Sequence, residues 1–297
     1  MTQTNQHRVL RIRDPLSASA LVDVVLGQTD LTNTYCNRNP NDPANGNAWA
    51  APDLSFVKLN TLCYPGALAI DKKGNLYVSD HYHEIAGNQR LLLFSSATFP
   101  DAPASVVFAP DAAKEFPRSQ GFGTWEPAFD STNRMVVGYN PYSAKTGKFV
   151  EYFNDPTCPS VTTPSGKLND YYGWAEAATF DTSNNLYVFD DNRGKVLIYK
   201  TPFANAPPTV CITSPADGSV VSRNTKVIIA ANASDYQGVR KVEFLVNNSL
   251  TCTDKVAPYT CTWKVPPIAG VSYALTAKAY DAVGNTATAT VRVTSSR

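Results

Sequence analysis

Ile70-Asp71-Lys72-Lys73-Gly74-Asn75-Leu76-Tyr77-Val78-Ser79-Asp80 is written again as Phe180-Asp181-Thr182-Ser183-Asn184-Asn185-Leu186-Tyr187-Val188-Phe189-Asp190. A looser copy runs Phe129-Asp130-Ser131-Thr132-Asn133-Arg134-Met135-Val136-Val137-Gly138-Tyr139. Each copy reads as a hairpin, in which an apolar residue and an Asp end one strand, polar residues turn, and a second strand begins. Gly74, Asn133 and Asn184 hold the last turn position, and these residue types best tolerate the left-handed conformation such a turn needs. The opening Asp can accept backbone N–H groups two or three residues on, which fixes the turn. One hairpin buries too little to stand alone, so three copies imply stacked sheets that share a core.

Composition supports an all-β chain. Pro, Gly, Asn, Thr, Tyr and Val are plentiful, while Met, Glu and helical periodicity are scarce. A length of 297 residues suits two domains. With 26 basic and 25 acidic residues the formal net charge is +1, so no basic face is available for nucleic acid. No apolar run approaches the roughly 18 residues of a membrane span. Residues 1–13 are polar and basic without an apolar core, so they are not a signal peptide.

Six cysteines are present. Cys36 and Cys63 flank a loop of Asn, Pro and Asp; Cys252 and Cys261 flank a segment that can turn back on itself. Both spacings suit disulfides in an oxidising compartment better than metal sites, with six reduced cysteines as the alternative. The state of Cys158 and Cys211 is left open.

Arg8–Arg13 alternates apolar and basic residues and compares with Arg90–Phe94 and Lys195–Lys200, each of which closes a repeat. It therefore reads as the orphan last strand of a repeat, with Leu21–Gly27 opening the next. Strands follow at 66–71, 75–80 and 89–95. A second repeat is expected to open near Ser105–Phe108 and continue at 125–130, 133–138 and 148–153. A third has a faint first strand near 160–163, then 175–181, 185–190 and 194–200. The repeated Asp steps by 59 and then 51 residues, a little longer than the roughly 40–50 of common four-stranded propeller blades.

Val24-Val25-Leu26-Gly27-Gln28, Tyr64-Pro65-Gly66, and the Gly-Asn-Leu-Tyr-Val-Ser-Asp hairpin closed by Gln89–Phe94 resemble NHL-repeat β-propellers of secreted bacterial proteins. The resemblance covers about residues 5–202 and is loosest in the second copy, where Tyr139 replaces the final Asp. It implies a partial β-propeller of about three four-stranded blades plus one orphan strand. Three blades cannot close a ring of ~4–8, so amino-terminal blades and a secretion signal are expected in a full-length chain. Exposed sheet edges would follow.

Ala204–Pro208 reads as a proline-rich linker, dividing a propeller-like domain, 1–203, from residues 209–297. Beyond it, short alternating strands at regular spacing make an immunoglobulin-like β-sandwich. Ile212–Gly218, Ala233-Ser234-Asp235, Lys241–Phe244, Ala257-Pro258-Tyr259 before Trp263, and Ala279–Asn285 resemble bacterial Ig-like domains appended to extracellular enzymes and adhesins.

Candidate chemistry is sparse. His81, His83 and Glu84 follow Asp80 on a loop, and His-x-His in extended chain puts both rings on one side, so Zn²⁺ is conceivable there. A solvent-facing polar loop is the simpler use. Asp190 and Asp191 adjoin, but neighbouring strand-end carboxylates point apart, which suits a turn better than acid–base work. No Gly-x-Ser-x-Gly occurs and no Cys has a base, so nucleophilic catalysis lacks support. Tyr139, Tyr142, Tyr171, Tyr172 and Trp174 could stack on sugars or grip a peptide if they share a face; packing between sheets competes. Asp235, Asp281 and Asn285 could hold Ca²⁺ and equally suit turns.

The expectation is a non-catalytic, secreted or cell-surface binding or scaffolding protein of bacteria, with no cofactor and a protein or glycan ligand. Its Ig-like domain would act as spacer or anchor. The competing class is a propeller-type lyase or lactonase whose catalytic residues lie mostly in blades absent from this chain.

Overall fold

Asp71 and Asp181 of the repeated stretch close their turns with their own carboxylates. Asp71 Oδ1 accepts the N–H of Lys73 and Asn75 at 2.8 and 2.9 Å, while Oδ2 accepts the Asn75 side-chain amide at 2.8 Å. Asp181 does the same for Ser183 and Asn185. Gly74, Asn133 and Asn184 take positive φ, as their residue types suggest. The turn is thus a closed local network that the flanking strands inherit.

The computed structural model describes residues 1–47, 54–56, 58–82, 86–96, 106–108, 127–139, 149–158, 165–168, 175–190 and 194–297. The chain divides into two units. The first comprises Met1–Asp130, Met135–Phe153 and Thr163–Lys200; the second comprises Ser131–Arg134, Asn154–Thr162 and Thr201–Arg297.

The first unit holds four antiparallel sheets. Strands β1 (Thr2–Gln3), β2 (Arg8–Arg13) and β3 (Leu21–Leu26) form the first, and β4 (Ala67–Ile70), β5 (Leu76–Tyr82), β6 (Ala86–Phe94) and β7 (Val106–Phe108) the second. The third runs β8 (Ala128–Phe129), β9 (Met135–Tyr139), β10 (Phe149–Phe153) and β11 (Gly166–Lys167); the fourth runs β12 (Ala175–Phe180), β13 (Leu186–Asp190) and β14 (Lys195–Tyr199). Neighbours in sequence are neighbours in every sheet, as short hairpin links dictate.

Two expectations need correction. Arg8–Arg13 is no orphan, because it pairs with Leu21–Leu26 from Val9↔Leu26 to Arg13↔Leu21 and so shares a sheet with the strand expected to open the next repeat. Val106–Phe108 does not open the second repeat either. It closes the second sheet, with Leu91 opposite Phe108. Among the described residues the fourth sheet shows three strands. The faint strand near 160–163 lies outside the described residues.

The long loop after β3 is tied down by polar contacts. The Cys36–Cys63 disulfide closes it. Gly27, at φ +91°, lies so close to the chain that a Cβ would sit 2.7 Å from the His7 carbonyl oxygen, so only glycine fits. Buried Asp80 accepts the Cys63 N–H at 2.7 Å and Arg90 Nε at 2.9 Å, and Arg90 donates on to the Lys58 and Thr61 carbonyls. The terminal Asp of the repeated stretch therefore anchors a loop.

The second unit contains a β-sandwich. One sheet orders β15 (Thr209–Ser214), β17 (Lys226–Ser234) and β20 (Tyr259–Lys264). The other orders β16 (Val220–Val221), β22 (Thr286–Ser295), β21 (Ser272–Asp281), β18 (Val239–Val246) and β19 (Ser249–Asp254). Ile229, Val242, Phe244, Val265, Leu275 and Ala277 are fully buried between them, and Trp263 meets Tyr273 edge-on with centroids 5.0 Å apart. Cys252–Cys261 joins β19 to β20, and Cys158–Cys211 ties the recruited segment 154–162 to β15. All six cysteines are thus paired.

Segment 131–134 enters this unit through Arg134, which stands where the other two copies carry Asn75 and Asn185. Its buried guanidinium donates to Asn154 Oδ1 at 2.8 Å and to the Pro207 carbonyl at 3.1 Å, and lies 4.7 Å from the centre of the Phe203 ring. Gln237 and Asn285 donate to the Ala204 and Asn205 carbonyls.

Candidate functional site

Three equivalent strand ends meet around one cavity in the first unit. Ile70, Phe129 and Phe180, the apolar residues immediately before the three repeated Asp residues, all line a cavity of about 980 Å³. Leu10 and Ile12 of β2 and Phe94 of β6 complete its apolar wall. The Asp71 turn brings Lys72 and Gly74 to the same cavity, and Ser96 holds that turn by donating twice: its N–H to Asn75 Oδ1 at 2.9 Å and its hydroxyl to the Lys73 carbonyl at 3.1 Å.

Among the described residues, Arg11 and Lys72 are the charged side chains in the wall, both cationic. Arg11 also donates to both oxygens of Asp23 at 2.9 Å, and Arg13 reaches the same carboxylate. The Arg11 hydrogen bond holds the Asp23 carboxyl below its ordinary range and raises the guanidinium in turn. The volume suits a small-molecule or peptide-segment site, and the wall offers surface for apolar groups rather than a dense array of hydrogen-bond donors.

His7 sits apart from this cavity, under the loop that the Cys36–Cys63 disulfide closes. Burial pushes its pKa down to about 4. Its Nδ1 accepts the Tyr64 N–H at 3.1 Å, which only the neutral ring can do, and its ring lies 4.3 Å from that of Tyr64.

The residues singled out from sequence are placed as follows. His81 lies in β5, opposite Gly87, whereas His83 and Glu84 lie outside the described residues. Among the described residues no three His, Cys, Asp or Glu side chains are arranged to hold a metal. Tyr139 ends β9; Tyr142, Tyr171, Tyr172 and Trp174 lie outside the described residues. Asp190 is buried at the end of β13, and Asp191 falls outside. Asp281 Oδ1 accepts the N–H groups of Val283, Gly284 and Asn285, and Oδ2 accepts the Asn285 amide, so its oxygens serve a turn. Asp235 Oδ1 takes the Gln237 N–H, and burial followed by the nearby Asp281 charge raises its pKa. Sequence reasoning missed Ile70, Phe129 and Phe180, although their fixed place before each Asp was a signal.

Residues 208–293 match the family model described as bacterial Ig domain. That domain and three disulfides fit a secreted or cell-surface protein. Among solved structures, the fibronectin(III)-like modules of Clostridium thermocellum CbhA share 28% identity over 30% of this chain and 96% of theirs, at a TM-score of 0.27. A Cellulomonas fimi endo-beta-1,4-mannanase double mutant shares 33% identity over 30% of this chain and 19% of its own, at 0.20. The extracellular domain of a candidate hybrid two component system from B. thetaiotaomicron shares 10% identity over 78% of this chain and 30% of its own, at 0.29. The chain therefore spans less than a third of the latter two proteins. No curated protein matches it. No helix among the described residues is long and apolar enough to cross a membrane.

Proposed function

We propose that the chain is a non-catalytic recognition module of a secreted or surface protein. In this reading residues 1–203 form part of an NHL-like propeller whose sheets are blades, and the cavity at the strand ends receives an apolar stretch of a partner protein. The Ig domain acts as spacer or anchor. The convergence of Ile70, Phe129 and Phe180 on one cavity carries the reading, because equivalent positions of a repeat meet at one place when the repeats are arranged about a common axis.

An apolar peptide segment is favoured over a glycan by the wall itself. Sugar sites rely on hydrogen-bonding side chains beside an aromatic platform, whereas Leu10, Ile12, Ile70, Phe94, Phe129 and Phe180 offer mainly area. The test is to pan a random peptide library on the immobilised chain alongside a glycan array. Retained peptides rich in apolar residues, with affinity lost at least about tenfold in a Phe129→Ser/Phe180→Ser variant, support the reading. Glycan retention without peptide retention, or peptide binding indifferent to both substitutions, overturns it.

A further inference from the structure

Three strands of equivalent register in the first unit differ at one edge. Phe94 of β6 pairs with Leu76, Phe153 of β10 with Met135 and Tyr199 of β14 with Leu186, and each of these partners is the first residue of the strand after a repeated turn. Leu91 and Leu93, Val150 and Tyr152, and Val196 and Ile198 therefore hold equivalent places. In the second sheet Leu91 and Leu93 stand opposite Phe108 and Val106 of β7. In the third, the Ser165 N–H donates to the Tyr152 carbonyl and the Leu168 N–H to the Val150 carbonyl, both at 2.8 Å, on either side of β11. Backbone groups alternate in direction along an antiparallel pair, so Val196 and Ile198 turn theirs away from β13 in the same way.

The fourth sheet stops there. Among the described residues β14 has β13 on one side and no strand on the other. Val196 and Ile198 are 56% and 58% exposed, against 1% and 3% for Leu91 and Leu93. Phe189, opposite Val196 and so on the same face, is 39% exposed. The edge joins a row of backbone donors and acceptors to an apolar strip. Edges kept bare carry a proline, a bulge or a charge among their pairing residues. Val196-Leu197-Ile198 has neither proline nor charge, and β14 pairs with β13 without a register shift. None of Lys195–Tyr199 lines the cavity at the strand ends.

Charge selects the occupant. Lys195 opens β14 and Lys200 follows it, with no acidic residue between them. Asp190 of β13 stands opposite Lys195, and Lys200 lies beyond the paired residues. The third sheet matches charge across the equivalent edge, where Glu151 of β10 stands opposite Lys167 of β11. A second copy of β14 laid antiparallel about Leu197 would bring Lys195 of each chain next to Lys200 of the other, which like charges oppose. A segment with acidic ends meets a cation at both.

We propose that β14 takes an extended segment of a partner protein as an added antiparallel strand, with apolar residues beside Val196 and Ile198 and acidic residues at its ends. Main-chain hydrogen bonds supply the affinity, and the strip of Val196, Ile198 and Phe189 selects the side chains that alternate onto its face. The added strand does at this edge what β7 and β11 do at theirs. This is a second site, apart from the cavity, and it does not rest on the peptide-binding reading given for that cavity.

The experiment pans displayed peptides of about five residues drawn from Val, Ile, Leu, Thr, Phe and Tyr, flanked by Asp-Asp or by Lys-Lys, on the immobilised chain. Retained peptides are synthesised and their dissociation constants measured by fluorescence anisotropy. The expected result is retention of the Asp-flanked set, with binding at least about tenfold weaker to Ile198→Pro, which removes one outward N–H from an edge strand. Circular dichroism checks that this variant folds, and Val196→Pro replaces it if it does not. Methylating the peptide nitrogens at alternate residues tests the same contact without altering the protein: one alternation should weaken binding at least about tenfold and the other should not. No retained peptide, a preference for Lys-Lys ends, or equal effects of the two methylation patterns overturns the proposal. So does binding lost in Phe129→Ser/Phe180→Ser but kept in Ile198→Pro, which assigns the peptide to the cavity. A dimer in sedimentation velocity that Ile198→Pro abolishes also overturns it, because a second copy then holds the edge.

Discussion

Acidification below pH 6.5 should destabilise the first unit through one residue, His7. The imidazole is buried, its Nδ1 accepts the Tyr64 N–H, and its pKa falls from 6.5 to about 4. A lowered folded value means that the unfolded chain takes up the proton first. Stability is therefore unaffected above pH 6.5, falls as pH drops from 6.5 towards 4, and changes no further through this group below that. Linkage between those two values gives a loss of about 2 kcal/mol at pH 5 relative to pH 7.5, and about 3 kcal/mol near pH 4. Carboxylates also lose their partners in acid, so the informative quantity is a difference between two proteins. His7→Asn is the comparison, because His7 has φ 51° and Asn tolerates that conformation while offering an amide oxygen to Tyr64. Urea unfolding at pH 7.5 and 5 should show the unaltered chain losing about 2 kcal/mol more than the variant. Nuclear magnetic resonance should place the His7 titration near pH 4. Equal losses in both proteins, or a His7 midpoint near 6.5, refute the reasoning.

Replacing Cys158 and Cys211 by Ser opens a loop of 53 residues and should lower the stability of the second unit by roughly 4 kcal/mol on the chain-entropy estimate, read from urea midpoints with and without the bond. Arg134→Met keeps the buried stem but removes the donor to Asn154 Oδ1 and the Pro207 carbonyl; a loss of about 2–3 kcal/mol is expected in the same measurement. Asp80→Ala strips the carboxylate from buried Arg90 and the acceptor from Cys63, so the first unit should lose about 3–5 kcal/mol, whereas Asp23→Ala on exposed β3 should leave the urea midpoint nearly unchanged.

What could be read from the sequence was local chemistry. The Asp71 and Asp181 turns close within five residues, so the residue types alone specify them. Strand partners across long connections were another matter. Val106–Phe108 is followed by a repeat-like strand in sequence but pairs backwards with β6, because the outer strand of a sheet belongs to whichever neighbour precedes it. Cys158–Cys211 depends on segment 154–162 joining the second unit, which no spacing rule contains. Arg134 of the loosest copy is the buried centre of a separate contact set, which its place in the repeat does not signal. Ile70, Phe129 and Phe180 each read only as the apolar end of a strand, and their convergence marks a cavity.

The turn motif on its own does not determine the architecture. Asp281–Asn285 in the second unit makes the same bonds as Asp71–Asn75, yet it links β21 to β22 of a sandwich. What differs is the strand beside the turn. Tyr77 and Val78 are both fully buried, so β5 is covered on both faces, as a sheet between two others must be. β20 alternates buried and exposed residues from Tyr259 to Lys264, the pattern of a sheet with one face in water. β13 has the apolar residues of the first kind, Leu186-Tyr187-Val188-Phe189, with the alternating exposure of the second. The composition of β13 alone would place it between two sheets, whereas its exposure pattern shows one face covered.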